Sequence, residues 1–259
     1  MVERKFDRLR SFNELSRNYS IGKLTRNLEA VTTKWDCDKI LDQGSDGSCV
    51  GHGIAHELIA KPVPCLQVDH KYAVYIYDEA KKVDEWPGED YEGTSVIAGL
   101  KVAKKLGWYD SYQWAFNLDD MLVGVSNAGP AVMGTNWYTG MMTPDSNGFI
   151  KPTGYNEGGH CWLLAGVDVE HKFAWCVNSW GKSWGLNGWF KLTWDDLWYL
   201  MEHQGECAFV LGRHDIGEIP EPEPDPDNGC FLAKWFTRSV NSGLWVMQSR
   251  YRIQARKEV

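Results

Sequence analysis

Cys49 is the residue whose position most suggests chemistry, because it follows a Gly-Ser turn and stands at the start of a predicted helix. A thiol at a helix N-terminus meets the positive end of the helix dipole, which favours the thiolate and lowers the thiol pKa. Gln43 lies shortly before, so its side-chain amide can loop back toward the Cys49 backbone N–H. Two such donors beside a nucleophile form an oxyanion hole. This stretch therefore predicts half of a catalytic site and lacks a base.

Two later stretches supply the missing groups. His160 follows two glycines and enters a predicted buried strand. Asn178 ends another predicted strand and is followed by Ser-Trp-Gly. A histidine alone in such a strand is usually a core residue, but a cysteine, a histidine and an asparagine together supply a nucleophile, a base and a group that orients the base.

Residues 35–211 resemble the papain-like cysteine peptidases, with the four residues Gln, Cys, His and Asn in the same order along the chain. The Asn-Ser-Trp-Gly stretch is highly specific to that family, the Gln-Gly-x-x-Gly-Ser-Cys stretch is strong, and Gly-Gly-His is weak alone. His160 follows Cys49 by 111 residues (160 − 49) and Asn178 follows it by 129 (178 − 49). The family's usual separation is about 130–150, so the histidine comes somewhat early.

The resemblance implies a catalytic role for each matching residue. Cys49 would be the nucleophile, and His160 the base that keeps it as thiolate and then protonates the leaving amine. Asn178 would orient His160, and Gln43 would complete the oxyanion hole. The implied activity is hydrolysis of peptide or isopeptide bonds through a thioester acyl-enzyme, with no cofactor.

The resemblance also implies substrate-binding residues. Trp180 would shield the Asn–His pair from water, and Gly93 would offer its backbone to an extended peptide. Met133 and Gly134 would help to line the main side-chain pocket.

The elements that must position these residues change character along the chain. Apolar residues at helical spacing predict a mainly helical first half, and short apolar runs with a hairpin signature predict strands in the second. This is an α+β fold, and the resemblance implies two lobes, a helical N-terminal one (residues 35–128) and an antiparallel β one (129–217), with the active site in the cleft between them. The predicted helices are 50–60, 69–86, 95–106, 118–126 and 195–202, and the predicted strands are 130–137, 160–167, 173–177, 188–192 and 207–211.

Two departures from the family matter. Asp46 stands where secreted members have a cysteine, and Val50 where an aromatic is usual. The first removes a disulfide, which agrees with a reducing compartment, and the second alters the shape of the cleft. Residues 1–34 form a short polar arm, predicted to lie extended over the domain, rather than the family's usual inhibitory pro-domain, so zymogen control of that type is not expected. The arm and an insertion at 140–149 resemble bacterial or phage-encoded members.

Composition excludes several other classes. The net charge of −8 argues against nucleic-acid binding, and the sequence has no apolar run of the roughly 20 residues that span a bilayer. Seven cysteines without a signal peptide predict free thiols in the cytoplasm or in a virion. His52 and His56 lie four apart but lack further ligands, and no CxxC occurs, so no metal site is predicted.

The C-terminal region points to a second, different hypothesis. Residues 218–229 alternate prolines and acids, which predicts a stiff extended linker. Residues 230–259 are basic and aromatic and predict a hairpin, which would dock either on the acidic body of the chain or on an assembly partner. The alternative to a peptidase is therefore a structural or adaptor component of an assembly such as a phage particle. Acyl transfer, or cleavage of cell-wall peptide, by the same triad also stays open.

Overall fold

The computed structural model describes residues 3–11, 15, 18–86 and 92–215, and the backbone of two short strands beyond them. Contacts divide the chain into two units, residues 1–220 and 221–259. In the first unit the elements in chain order are β1 (Arg8–Leu9), α1 (Gly22–Thr25), β2 (Thr33–Lys34), α2 (Cys49–Ile59), α3 (His70–Lys81), β3 (Thr94–Ser95), α4 (Val96–Lys105), β4 (Tyr109–Ala115), α5 (Leu118–Asn127), β5 (Ala131–Tyr138), β6 (Asn156–Asp168), β7 (Phe173–Val177), β8 (Trp189–Thr193), α6 (Trp194–Glu202) and β9 (Glu206–Arg213).

The second unit contains β10 (Trp235–Arg238) and β11 (Trp245–Gln248), which pair antiparallel with Trp235 opposite Gln248. The linker and the turn predicted between these strands lie outside the described residues.

An antiparallel sheet forms the centre of the first unit. Its strand order is β4-β9-β5-β6-β7-β8, and β2 adds to β6. The predicted strands of the second half are confirmed, and so are the helices α2 to α6, with ends that differ by a few residues. β4 lies in the mainly helical half, where no strand is predicted, and it pairs with β9 near the end of this unit.

The sheet is buried on both faces by two separate hydrophobic clusters. Side chains alternate along β6, so Cys161 and Leu163 join the cluster under α2, α3 and α4. Trp162 and Leu164 join the other cluster, with α5 and α6. This explains why β6 is apolar at nearly every position, whereas a sheet with one solvated face would alternate with polar residues.

Glycines let α2 pack closely against its neighbours. A Cβ at Gly51 would collide with the carbonyl oxygen of Ala73 in α3, and one at Gly53 would collide with the sulfur of Cys161 in β6. A glycine at position 51 is thus required by the close approach of the α3 backbone. Because α2 is held against both α3 and β6, its first residue has a fixed position relative to the sheet.

Candidate active site

Cys49 is the first residue of α2, as its sequence context predicts. Its side chain is fully buried, at 0% exposure. The backbone N–H groups of Asp7 and Cys161 donate hydrogen bonds to its sulfur. Cys161 directly follows His160 in β6, so the packing of α2 on this strand brings the thiol to the part of the chain that carries the predicted base.

His160 is held in one tautomer by Asn178. The Nε2 atom of His160 lies 2.8 Å from Oδ1 of Asn178. The backbone N–H of Ser179 also donates to that Oδ1, at 2.8 Å, which identifies the atom as the carbonyl oxygen. Because an amide oxygen only accepts, Nε2 carries the ring proton and Nδ1 has a free lone pair. Nδ1 is buried and has no hydrogen-bond partner among the described residues.

Aromatic rings enclose the His160 imidazole. The ring centroid of Trp137 lies 4.8 Å away, that of Trp180 5.3 Å, and that of Phe6 5.8 Å. This burial lowers the pKa of His160 to about 4, although the hydrogen bond to Asn178 acts in the opposite direction. The imidazole is therefore neutral at pH 7, as a proton acceptor must be.

Burial also decides the protonation of the nucleophile. It raises the pKa of the Cys49 thiol to about 11, although the two N–H donors at the sulfur oppose it. The expectation that the helix dipole lowers the thiol pKa is wrong for this conformation. A helix terminus is worth about 0.3–1 kcal/mol, whereas full burial shifts a pKa by as much as 3–5 units. At pH 7 the thiol of Cys49 and the imidazole of His160 are therefore both neutral in this conformation.

Gln43 is tied to the residues that follow Asn178. Its Oε1 accepts from the hydroxyl of Ser179 at 2.6 Å, and its backbone N–H donates to the Ser179 carbonyl at 2.8 Å. Its side-chain amide donates to the carbonyl of Asp46 at 2.8 Å, so the amide is fixed inside the turn that precedes Cys49. Gln43 and Asn178 therefore belong to one hydrogen-bonded unit.

No cluster of metal-ligating side chains occurs within the described residues. His52 bonds through Nε2 to Nδ1 of His70, at 3.0 Å, and His56 accepts from the backbone N–H of Leu41 at 2.9 Å. In the same part of the chain, no helix has the length and apolar character needed to cross a membrane. The six described cysteines are free thiols.

Comparison with known proteins identifies the architecture. No protein-family profile matches the chain. An uncharacterized peptidase C1-like protein of Acanthamoeba polyphaga mimivirus is 22% identical over 216 residues, which cover 62% of this chain and 69% of that protein. Xylellain, a cysteine protease from Xylella fastidiosa, superposes with a TM-score of 0.58 at 18% identity, over 82% of this chain and 97% of the other. A digestive procathepsin L 3 of Tenebrio molitor larval midgut has a TM-score of 0.45 at 11% identity, over 79% and 83% of the chains.

The chain has the papain-like fold. The α+β class predicted from the sequence and the resemblance to papain-like peptidases are both confirmed. In this papain-like chain, the candidate nucleophile, base and orienting residue come from α2, β6 and the end of β7.

The N-terminal segment of residues 4–9, called here the cleft segment, covers this site. β1 pairs in parallel with β3, Arg8 opposite Thr94, and Asp7 forms a parallel bridge with Gly159. The cleft segment thus lies between the start of α4 and the start of β6, close to Cys49 and His160. Its backbone N–H at Asp7 reaches the Cys49 sulfur.

Further contacts anchor the start of the cleft segment. The guanidinium of Arg4 donates to Oδ1 of Asp42 at 2.6 Å and to the carbonyl of Gly44 at 2.9 Å, on either side of Gln43. These contacts hold the start of the cleft segment against the turn that carries Gln43.

Glycines on both sides admit the backbone of the cleft segment. A Cβ at Gly93 would collide with the carbonyl of Asp7, and one at Gly159 with the carbonyl of Arg8. Gly93 was predicted to offer its backbone to an extended peptide. The structure brings it against the cleft segment, but the hydrogen bond comes from the next residue, since the N–H of Thr94 donates to the Asp7 carbonyl at 3.2 Å.

The residues predicted for the side-chain pocket separate onto two faces of the sheet. Gly134 faces the cleft segment, because a Cβ built on it would lie 2.6 Å from Nε of Arg8. Met133, its neighbour in β5, is fully buried in the cluster on the opposite face. The expectation that Met133 lines the pocket is corrected accordingly, because successive side chains of a strand point to opposite sides.

Sequence reasoning missed two residues of the site, Arg8 and Glu206. They form a buried ion pair, with Nη2 of Arg8 at 2.9 Å from Oε1 of Glu206. The available signal was weak: Glu206 is a charged residue at the start of an otherwise apolar run, and Arg8 is one of several basic residues in the arm.

Proposed function

We propose that this protein is a cysteine-type peptidase that cleaves peptide or isopeptide bonds with Cys49, His160 and Asn178. The observation that carries the proposal is the state of His160. Asn178 accepts from Nε2, which leaves a buried and unpartnered lone pair on Nδ1, one residue before the N–H that contacts the Cys49 sulfur. A base of fixed tautomer near a thiol is what nucleophilic catalysis by cysteine requires. The papain-like fold and the C1-like name of the viral relative support the same activity.

The chemistry follows from these positions. When the cleft segment leaves, water and a polypeptide replace it, and the thiol proton moves from Cys49 to Nδ1 of His160. The thiolate attacks the carbonyl carbon, and the resulting oxyanion takes hydrogen bonds from the Cys49 N–H and the Gln43 amide. The C–N bond then breaks as His160 gives its proton to the leaving amine, and a thioester remains on Cys49. Water, deprotonated by the same Nδ1, hydrolyses the thioester and restores the free thiol.

The test is modification and turnover of the full chain with one substitution. We expect Cys49→Ala to abolish both hydrolysis of a peptide library and labelling by a thiol-directed epoxide. Cys65→Ala is the matched control, because Cys65 is a free and partly exposed thiol. Equal labelling of the Cys49→Ala variant, or loss of activity in the control variant alone, would contradict the proposal.

A further inference from the structure

The Arg8 side chain lies in a pocket whose floor is Glu206. Nε and Nη2 of Arg8 lie 3.0 and 2.9 Å from Oε1 of Glu206, and Nη2 also donates to the carbonyl of Gln204 at 3.0 Å. The Arg8 side chain is 1% exposed and that of Glu206 is 11% exposed. The pocket therefore holds a guanidinium with three hydrogen bonds and almost no contact with water.

The pocket belongs to the body of the protein, whereas the arginine belongs to the cleft segment. Its walls are Gly134 in β5, Glu206 at the start of β9, and Val96 at the start of α4. Gly134 gives the pocket its depth, since a Cβ there would lie 2.6 Å from Nε of Arg8 and 2.8 Å from Oε1 of Glu206. The cleft segment reaches the pocket by passing over Cys49, so the pocket opens beside the nucleophile.

The carboxylate of Glu206 needs a cation. Burial raises its pKa above the ordinary value, and the charge and hydrogen bonds of Arg8 offset only part of that rise. A buried carboxylate without a partner is strongly unfavourable, so any group that fills the pocket and excludes water from Glu206 must bring a positive charge. In the described structure that occupant is Arg8, held on a backbone that lies extended through the cleft as a bound peptide would.

The cleft segment is not presented for cleavage. It directs the N–H of Asp7 at the Cys49 sulfur, where a substrate must direct a carbonyl carbon. The cleft segment is therefore not a substrate in this orientation. Its Arg8 nevertheless shows which side chain the pocket accepts.

We propose that this pocket is a subsite for arginine, and that Glu206 makes the protein select polypeptides with an arginine side chain close to the bond that Cys49 attacks. The inference rests on the proposed peptidase function and specifies its substrate. It favours arginine over lysine, because a single ammonium nitrogen cannot reproduce the three contacts that the planar guanidinium makes from two nitrogens.

The first experiment measures turnover by the full chain carrying Arg8→Ala, which frees the pocket. A set of peptides places arginine, lysine, norleucine or glutamate in turn at each position within three residues of the cleaved bond. At one position we expect kcat/KM for arginine to exceed that for norleucine by roughly 10- to 100-fold, the range for hydrogen bonds to a charged group. Equal rates for the two at every position would overturn the inference.

The second experiment assigns that preference to Glu206. Adding Glu206→Gln to the Arg8→Ala chain should remove the arginine preference while hydrolysis of norleucine peptides continues. Glu202→Gln is the matched control, because Glu202 is an exposed carboxylate on the neighbouring helix α6. A Glu206→Gln chain that keeps the full arginine preference would refute the role of this residue.

A binding measurement separates failure of this inference from failure of the proposed function. In the Cys49→Ala, Arg8→Ala chain, calorimetry should detect the arginine peptide binding more tightly than its norleucine counterpart, whether or not the active protein hydrolyses either. If Glu206→Gln does not fold, as judged by circular dichroism, Gly134→Ala in the Arg8→Ala chain replaces it. The added Cβ should weaken binding of arginine peptides and spare alanine peptides, and unchanged arginine affinity in a folded Gly134→Ala chain would overturn the inference.

Discussion

Replacing Arg8 by alanine should open the cleft of the full chain and expose Cys49. Arg8→Ala removes three charged hydrogen bonds and leaves Glu206 buried without a partner, but only while the cleft segment stays in place. When the segment leaves, water reaches Glu206 and that penalty disappears. The substitution therefore destabilises the covered state relative to the open one, and the loss of one partner of a buried pair is worth about 3–5 kcal/mol.

The magnitude of the effect follows from this free energy and from the thiol pKa. A shift of about 3 kcal/mol changes the ratio of open to covered molecules by roughly 150-fold. In the covered state, with a Cys49 pKa of about 11, about one thiol in a thousand is ionised at pH 8. We therefore expect the wild-type thiol to react slowly with iodoacetamide at pH 8, and the variant to react up to about 100-fold faster.

The assay is the rate of alkylation at Cys49, followed by mass spectrometry of the peptide that contains it, over pH 6 to 10. Arg26→Ala is the control, since Arg26 is an exposed arginine outside the cleft segment. An Arg8→Ala chain that melts close to the wild-type temperature, and is therefore folded, but whose Cys49 is alkylated no faster than in the wild type would refute the role of Arg8 in covering Cys49.

Three further predictions concern the catalytic unit and its surroundings. Asn178→Ala should lower kcat by roughly 10- to 100-fold with little change in KM, because it frees His160 to rotate; an unchanged kcat in steady-state assays would contradict this. Gln43→Ala should lower kcat by about 10²–10³ if its amide stabilises the oxyanion, and a loss confined to KM would exclude that role. Burial lowers the pKa of His52 to about 4 and that of His56 to about 3. Below pH 6.5 the unfolded chain therefore binds more protons than the folded one, and the free energy of unfolding measured in urea should fall between pH 6.5 and 4. A free energy of unfolding that stays constant over this range would refute the prediction.

The catalytic candidates could be proposed from the sequence because each lies in a short stretch with its own signature. Cys49 stands at a turn-to-helix junction, and Asn178 precedes Ser-Trp-Gly, so neither needs knowledge of distant contacts. The strands of the second half are predicted for a similar reason, since a sheet covered on both faces leaves apolar runs in the sequence.

Features that depend on long-range docking were not predictable in the same way. Arg8 and Glu206 lie 198 residues apart, and nothing local to either indicates the other. The prediction for Met133 failed for a different reason. The strand was predicted correctly, but which of its side chains point to each face of the sheet depends on its register with β6. The prediction of a lowered pKa for the Cys49 thiol failed for a third reason. The cleft segment helps to bury Cys49, and it comes from a distant part of the chain.

The covalent attachment of the cleft segment sets how it competes with substrates. The chain is bonded to β4 again from Tyr19 to Ile21, so nine residues of sequence (10–18) separate this anchor from Leu9. A ligand on such a tether has an effective concentration in the millimolar range, whatever the concentration of the protein. Dilution therefore does not relieve the competition, and the specific activity of the intact chain should be independent of protein concentration. A cut in this stretch would turn the same segment into a separate peptide that dissociates on dilution. After one proteolytic cut, the inhibition would therefore depend on the protein concentration.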